Sequence, residues 1–142
     1  MNKKNLLSVV LAAAALCLAI AAFIVALCPK QTAPQQTKDV QYVMYLGTNG
    51  KDTNEPVFAP EEAKAKAEEI LVKHFGGFTV QEANGGWIDG ETLYREYTIV
   101  IYLSDTNLDA VHTAADELIK TFDQSSVLIQ ANETVTEFYS GN

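Results

Sequence analysis

The sequence predicts an α+β domain, and three observations carry that expectation. From Val40 to the C-terminus the hydrophobic periodicity runs strand, helix, strand, strand, helix, strand. Asp89-Gly90, between two β-rich runs, marks a tight hairpin at the centre of that order. Each half then reads as a β-α-β piece, so the whole is a ferredoxin-like βαββαβ arrangement, an antiparallel sheet with two helices on one face.

Val40 to Leu46 (VQYVMYL) is β-branched and aromatic and predicts the first strand. Turn-forming residues follow from Gly47 to Pro60. Pro60 then suits the first position of a helix, with Glu61 and Glu62 at the positive end of its dipole. Ala63, Ala67, Ile70 and Leu71 keep helical spacing to His74 or Phe75, and Gly76-Gly77 ends the run. Phe78 to Ala83 is the second predicted strand and Tyr94 to Leu103 the third. With Asp89-Gly90 as the two turn residues, Val80 faces Ile99 and Phe78 faces Ile101 on one side of the sheet. Gln81 then faces Thr98, and Thr79 faces Val100, on the other. Gly85-Gly86 predicts a bulge before Trp87. Thr106 begins the second helix, with Asp109 three residues on as an approximate capping box. Leu108, Val111, Ala115, Leu118, Ile119 and Phe122 form its apolar stripe. Ser126 to Ala131 is a fourth strand, which Thr134 to Tyr139 extends or follows as a fifth.

A chain of 142 residues that is 48% hydrophobic and 20% charged is neither a disordered polar chain nor a collagen-like one. Its apolar content is uneven. Leu6 to Leu27 is a run of 22 residues without a charge, about 33 Å as a helix and enough to span a bilayer core. Lys3 and Lys4 precede it, which favours an N-terminus on the cytoplasmic side and a domain outside. The expected boundaries are a cytoplasmic N-terminus over 1–5, a single-pass anchor over 6–28, a Pro-containing linker over 29–38 and an extracytoplasmic domain over 39–142. Cleavage as a signal peptide, or lipidation at Cys28, is the rival; the length of the run and the bulky Leu27 before Cys28 favour the uncleaved anchor. Cys17 and Cys28 lie eleven residues apart on one helix, too far to pair, and the domain beyond has no cysteine. From Asp39 onward six basic residues stand against eighteen acidic ones, a net charge of −12. Such a surface argues against nucleic-acid binding and is repelled by anionic lipid headgroups.

No catalytic or metal-binding motif emerges, so no enzymatic activity and no cofactor are expected. His74 and His112 lack a second ligand at a standard spacing, and no GxSxG or exported cysteine is present. The loop Thr48 to Pro56 is oxygen-rich but misses EF-hand spacing and reads as solvated. Arg95, the only arginine, falls on the helix-facing side of the third strand. It is expected to face Asn84, with Glu82 diagonal, either as an ion pair closing the sheet end or as an anchor for an anion. Glu96 falls on the open face with Tyr94, Thr98, Val100 and Tyr102, joined by Val43 and Tyr45 from the first strand, with Trp87 at the edge. Tyr45, Trp87, Tyr94, Arg95, Glu96 and Tyr102 are therefore the candidate binding residues. Aromatic groups exposed together on a sheet imply burial against a partner, a second copy of the chain being the commonest case.

Tyr45-Leu46-Gly47, Gly77-Phe78-Thr79-Val80, Gly86-Trp87, Arg95-Glu96 and Gln124-Ser125-Ser126-Val127-Leu128 together resemble a family of uncharacterised bacterial extracytoplasmic proteins, domain of unknown function 3574. The resemblance runs from about Tyr42 to Phe138 and implies an exported or lipid-anchored protein, with no activity attached. The sequence as a whole reads as a membrane-anchored extracytoplasmic binding domain working through its open sheet face. The alternatives are a small hydrolase or lyase using Arg95, Glu96 and a tyrosine, and a cleaved or lipid-anchored form of the same domain.

Overall fold

β1 (Thr37–Gly47), α1 (Pro60–His74), β2 (Thr79–Asp89), β3 (Thr92–Leu103), α2 (Leu108–Thr121) and β4 (Leu128–Thr136) follow one another in the predicted order. The computed structural model describes residues 37–141. The expected anchor at Leu6 to Leu27, both cysteines and most of the linker lie outside the described residues. Among the described residues no helix is long and apolar enough to cross a membrane.

The strands form one antiparallel sheet in the order β2-β3-β1-β4. Met44, Leu46, Ile99, Ile101 and Leu103 point to one face and are buried under Ala67, Ile70 and Leu71 of α1 and Val111, Ala115 and Leu118 of α2. Small alanines at Ala63, Ala67, Ala114 and Ala115 sit among the buried helix positions, where they let the helix backbones come close to the sheet. Phe122 closes the core at the end of α2, its ring edge-on to Phe58 at 5.4 Å. Outside the core, Lys73 and His74 of α1 both reach Glu117 of α2 at 2.9 Å.

The elements differ from the sequence expectation in several places, and β2, expected to end at Ala83, runs on to Asp89. β1 begins at Thr37, inside the expected linker, because β4 runs on as its neighbour as far as Thr136. β4 is a single strand, and 137–139 do not extend it. The N-cap of α2 is Asn107, whose side chain accepts a hydrogen bond from the Ala110 N–H, and no capping box starts at Thr106. The hairpin turn is Gly90-Glu91. Gly90 sits at φ 59° and Glu91 is not among the positive-φ residues, as in a type II′ turn, which needs glycine in its first central position. The register therefore slides by two residues, so Val80 faces Ile101 and Arg95 faces Gly86. A slip of two preserves the faces while changing every partner. Finally, Gly85 and Gly86 pair without a bulge, with Glu96 and Arg95. A Cβ on Gly85 would fall on the Thr98 hydroxyl, and one on Gly86 would crowd the Tyr94 carbonyl at 3.1 Å, so these glycines serve close approach.

Candidate functional site

On the open face, Val43 and Tyr45 of β1 stand beside Tyr102 and Val100 of β3, with Thr79 and Gln81 of β2 on one side and Gln130 and Leu128 of β4 on the other. Tyr102 donates its hydroxyl to Gln81 Oε1 at 3.1 Å, and Tyr45 donates to Gln130 Oε1 at 3.3 Å. Each tyrosine is thus tied to an edge strand, and Val43 and Val100 between them are buried, as is Thr98 beyond Tyr45. The centre of the face is closed by its own side chains.

Glu96 lies on this face as expected, yet its carboxylate is engaged in structure. Oε2 accepts hydrogen bonds from the backbone N–H groups of Thr48 at 3.1 Å and Asn49 at 3.3 Å, where β1 ends. It lies over Gly47, where a Cβ would collide with it. Thr48 donates its hydroxyl to the Tyr97 carbonyl at 2.7 Å, and Asn49 Nδ2 donates to the Arg95 carbonyl at 3.3 Å. The loop after β1 is in this way fastened to β3.

Arg95 leaves β3 on the opposite face from Glu96. The expected clamp to Glu82 or Asn84 does not form: the slipped register puts Gly86 opposite, and Glu82 instead pairs with Lys64 of α1 at 2.9 Å. That pair raises the Lys64 pKa and lowers that of Glu82 through a shared hydrogen bond. Burial, with the Glu82 charge second, pushes the Tyr97 phenol above its usual range. Arg95 itself is exposed and makes no ion pair among the described residues.

A cluster of exposed apolar side chains lies further out, on the β2–β3 hairpin, while Val72, Leu128, Phe138 and Tyr139 are exposed elsewhere. β1 reaches only as far as Gly47 opposite Thr98, whereas β2 and β3 continue for six more pairs, from Asn84–Tyr97 to Asp89–Thr92. At about 3.4 Å per residue this two-stranded arm runs some 20 Å past the last β1 pair, with Thr48 and Asn49 fastened beside its first half as far as Arg95. Trp87 stacks on Tyr94 on the open-face side, with centroids 4.7 Å apart and planes 21° from parallel. Ile88 and Leu93 pair on the other side. Trp87 is 45% exposed, Leu93 51% and Ile88 69%, so the arm is apolar on both faces. Trp87 and Tyr94 are expected site residues that the structure brings together. Ile88 and Leu93 were missed, although the same alternation, carried on to the turn in W-I-D-G-E-T-L-Y, contains them.

A cavity of about 580 Å³ opens at the other end of the sheet. Phe75, Phe78, Tyr102 and Phe138 supply aromatic walls, and His74 and Asp105 contribute polar groups. Neither Arg95 nor Glu96 lines it. Among the described residues, no three His, Cys, Asp or Glu side chains gather as metal ligands.

Solved structures share this fold. A phage SAM lyase in its apo state superposes with a TM-score of 0.52 at 15% identity over 72% of this chain and 90% of that one. The same description applies to a phage SAM lyase in complex with S-methyl-5'-thioadenosine, with a TM-score of 0.51 at 16% identity over 79% and 97%. The periplasmic divalent cation tolerance protein CutA from Archaeoglobus fulgidus follows, with a TM-score of 0.44 at 8% identity over 68% and 82%. At such identities the likeness is one of fold. No curated protein matches the sequence. The family model for the Protein of unknown function (DUF3574) matches residues 41–138, and the chain belongs to that family.

Proposed function

We propose that this member of the DUF3574 family is a membrane-anchored extracytoplasmic binding domain whose working element is the projecting β2–β3 arm. One observation carries the reading: the arm exposes large apolar side chains on both faces, Trp87 and Tyr94 on one and Ile88 and Leu93 on the other. A free two-stranded ribbon is marginal in water, and apolar groups on both of its sides mark a surface that is covered in the working state. The open sheet face remains part of the site as the platform from which the arm extends, while its centre is already closed by Tyr45 and Tyr102.

β1 runs from Thr37 towards Gly47, and the arm continues in that direction beyond Thr98. The start of β1 at Thr37 and the arm's tip therefore lie at opposite ends of the sheet. Asp89 and Glu91 at the tip disfavour an anionic lipid surface as the arm's resting place.

Amide hydrogen exchange tests the proposal, comparing the full chain in its native membranes with the dilute isolated domain. Exchange at Leu93 and Arg95 is expected to slow at least tenfold in the membranes. Equal exchange in both would contradict the proposal.

A second reading takes the cavity as a small-molecule site. Its volume and four aromatic walls suit a heteroaromatic ligand, and one neighbour of the same fold holds S-methyl-5'-thioadenosine. Calorimetric titration with that nucleoside decides it, and the absence of heat at millimolar ligand would remove this reading.

A further inference from the structure

We infer that the arm of one copy of this chain pairs with the outer edge of β4 in a second copy, as an added antiparallel strand. The inference rests on the reading of the arm above and goes further by naming the occupant. The sheet has a free main-chain edge at each of the two sites. Past Thr98, β3 has no β1 residue opposite it. β4 is the last strand of the sheet, and over Leu128–Thr136 it carries one charge, Glu133, and none of the lysines or prolines that usually protect an edge.

The direction of the backbone groups matches. Tyr97 and Arg95 receive hydrogen bonds on their carbonyls from Thr48 and Asn49, so odd-numbered β3 residues turn their main-chain groups towards the free edge. Following the alternation through the β3–β1 and β1–β4 registers, Ala131, Glu133 and Val135 turn theirs towards the outer edge of β4. Only registers that set odd residues against odd residues can then form main-chain bonds.

One such register also matches the side chains. Arg95 opposite Glu133 joins two exposed, opposite charges that make no ion pair among the described residues of their own copy. The same register sets Leu93 opposite Val135, 51% and 57% exposed, with both pairs on the helix-facing side of their strands. Thr48 sits on the Tyr97 carbonyl and stops the pairing there, while the Asn49 side chain, held by the Asn54 carbonyl at 2.9 Å, gives up its longer bond to the Arg95 carbonyl at 3.3 Å when Glu133 pairs. The added ladder therefore covers Thr92 to Arg95 against Glu133 to Thr136. Because the arm and the β4 edge are different surfaces, the contact is head-to-tail, and it closes into a ring or runs on as a chain.

Charge exchange in the isolated domain from Thr37 onward tests this; the domain contains the whole core and all four strands and forms one compact unit. Sedimentation of the wild-type domain should show more than one copy. Arg95→Glu and Glu133→Arg should each weaken association at least tenfold, and the two together should restore it. Thr92→Cys copies mixed with Thr136→Cys copies should form an intermolecular disulfide under oxidation, with no native cysteine in the domain to compete. This second measurement keeps the test decisive should a charge variant fail to fold. A wild-type domain that stays single at all concentrations overturns the inference, as does a double exchange that folds but does not reassemble. If the domain is single while the arm is protected from exchange in membranes, the arm binds another partner: this inference falls and the proposed function stands. Absence of that protection removes both.

Discussion

Glu96 and Asp39 show how single carboxylates at strand ends hold this fold together. Glu96 accepts two backbone N–H groups where β1 stops, and glycine at position 47 leaves the space for it. Gly47→Ala should push the carboxylate aside and leave the buried Thr48 N–H without its partner. The expected cost is about 1–3 kcal/mol, read from urea unfolding. Asp39 accepts hydrogen bonds from Asp105 N–H, the Thr136 hydroxyl and its neighbour Val40 N–H, tying the β3–α2 turn to β1 and β4. These bonds, the Asp105 amide foremost, hold its carboxyl below the ordinary value of 3.8. A carboxyl whose pKa is lowered on folding adds stability above its unfolded value and loses it as pH falls through the folded one. Melting temperature should therefore drop as the pH falls below about 4, and Asp39→Asn should flatten that drop. The face that Glu96 occupies was legible from strand alternation. Its task was not, because the amides it binds lie 47 and 48 residues away and meet it only once the sheet has formed.

At the scale of elements, local chemistry and hydrophobic period point the same way for α1, whose Pro60 start and termination before Gly76-Gly77 were both readable. They also agree for α2, whose buried Val111, Ala115 and Leu118 lie on the predicted stripe. Leu118 is fully buried, and Leu118→Ala is expected to cost about 2–5 kcal/mol in a denaturant titration. The hairpin was legible as a turn but not in its register. Asp-Gly suits a type I′ turn with both residues central, whereas here Gly90 takes the first central place. Gly90→Ala should cost about 1 kcal/mol, since alanine resists φ 59°. The two-residue slip moved Arg95 from Asn84 to Gly86 and left Glu82 to Lys64, so the predicted clamp disappeared. How far the arm extends beyond β1 depends on where another strand ends, and strand-local periodicity carries no record of that.

For the molecule as a whole, a strongly acidic domain of the ferredoxin-like class keeps its helix-covered face dry and its open face partly closed. Trp87, Ile88 and Leu93 are exposed together on an arm at the far end of the sheet from the start of β1. Beyond Tyr97, which packs against the core, the arm lies outside the main cluster of buried side chains, so its outer part should be separable from folding. Ile88→Asp together with Leu93→Asp is the most direct test, because it makes one face of the arm polar and leaves the core intact. The thermal melt of the domain should stay close to wild type, with each exposed change worth about 0.5 kcal/mol or less. The full chain extracted from membranes should at the same time sediment as a smaller particle than wild type. A lower melting temperature with an unchanged particle would make the arm a part of the fold alone and contradict the account.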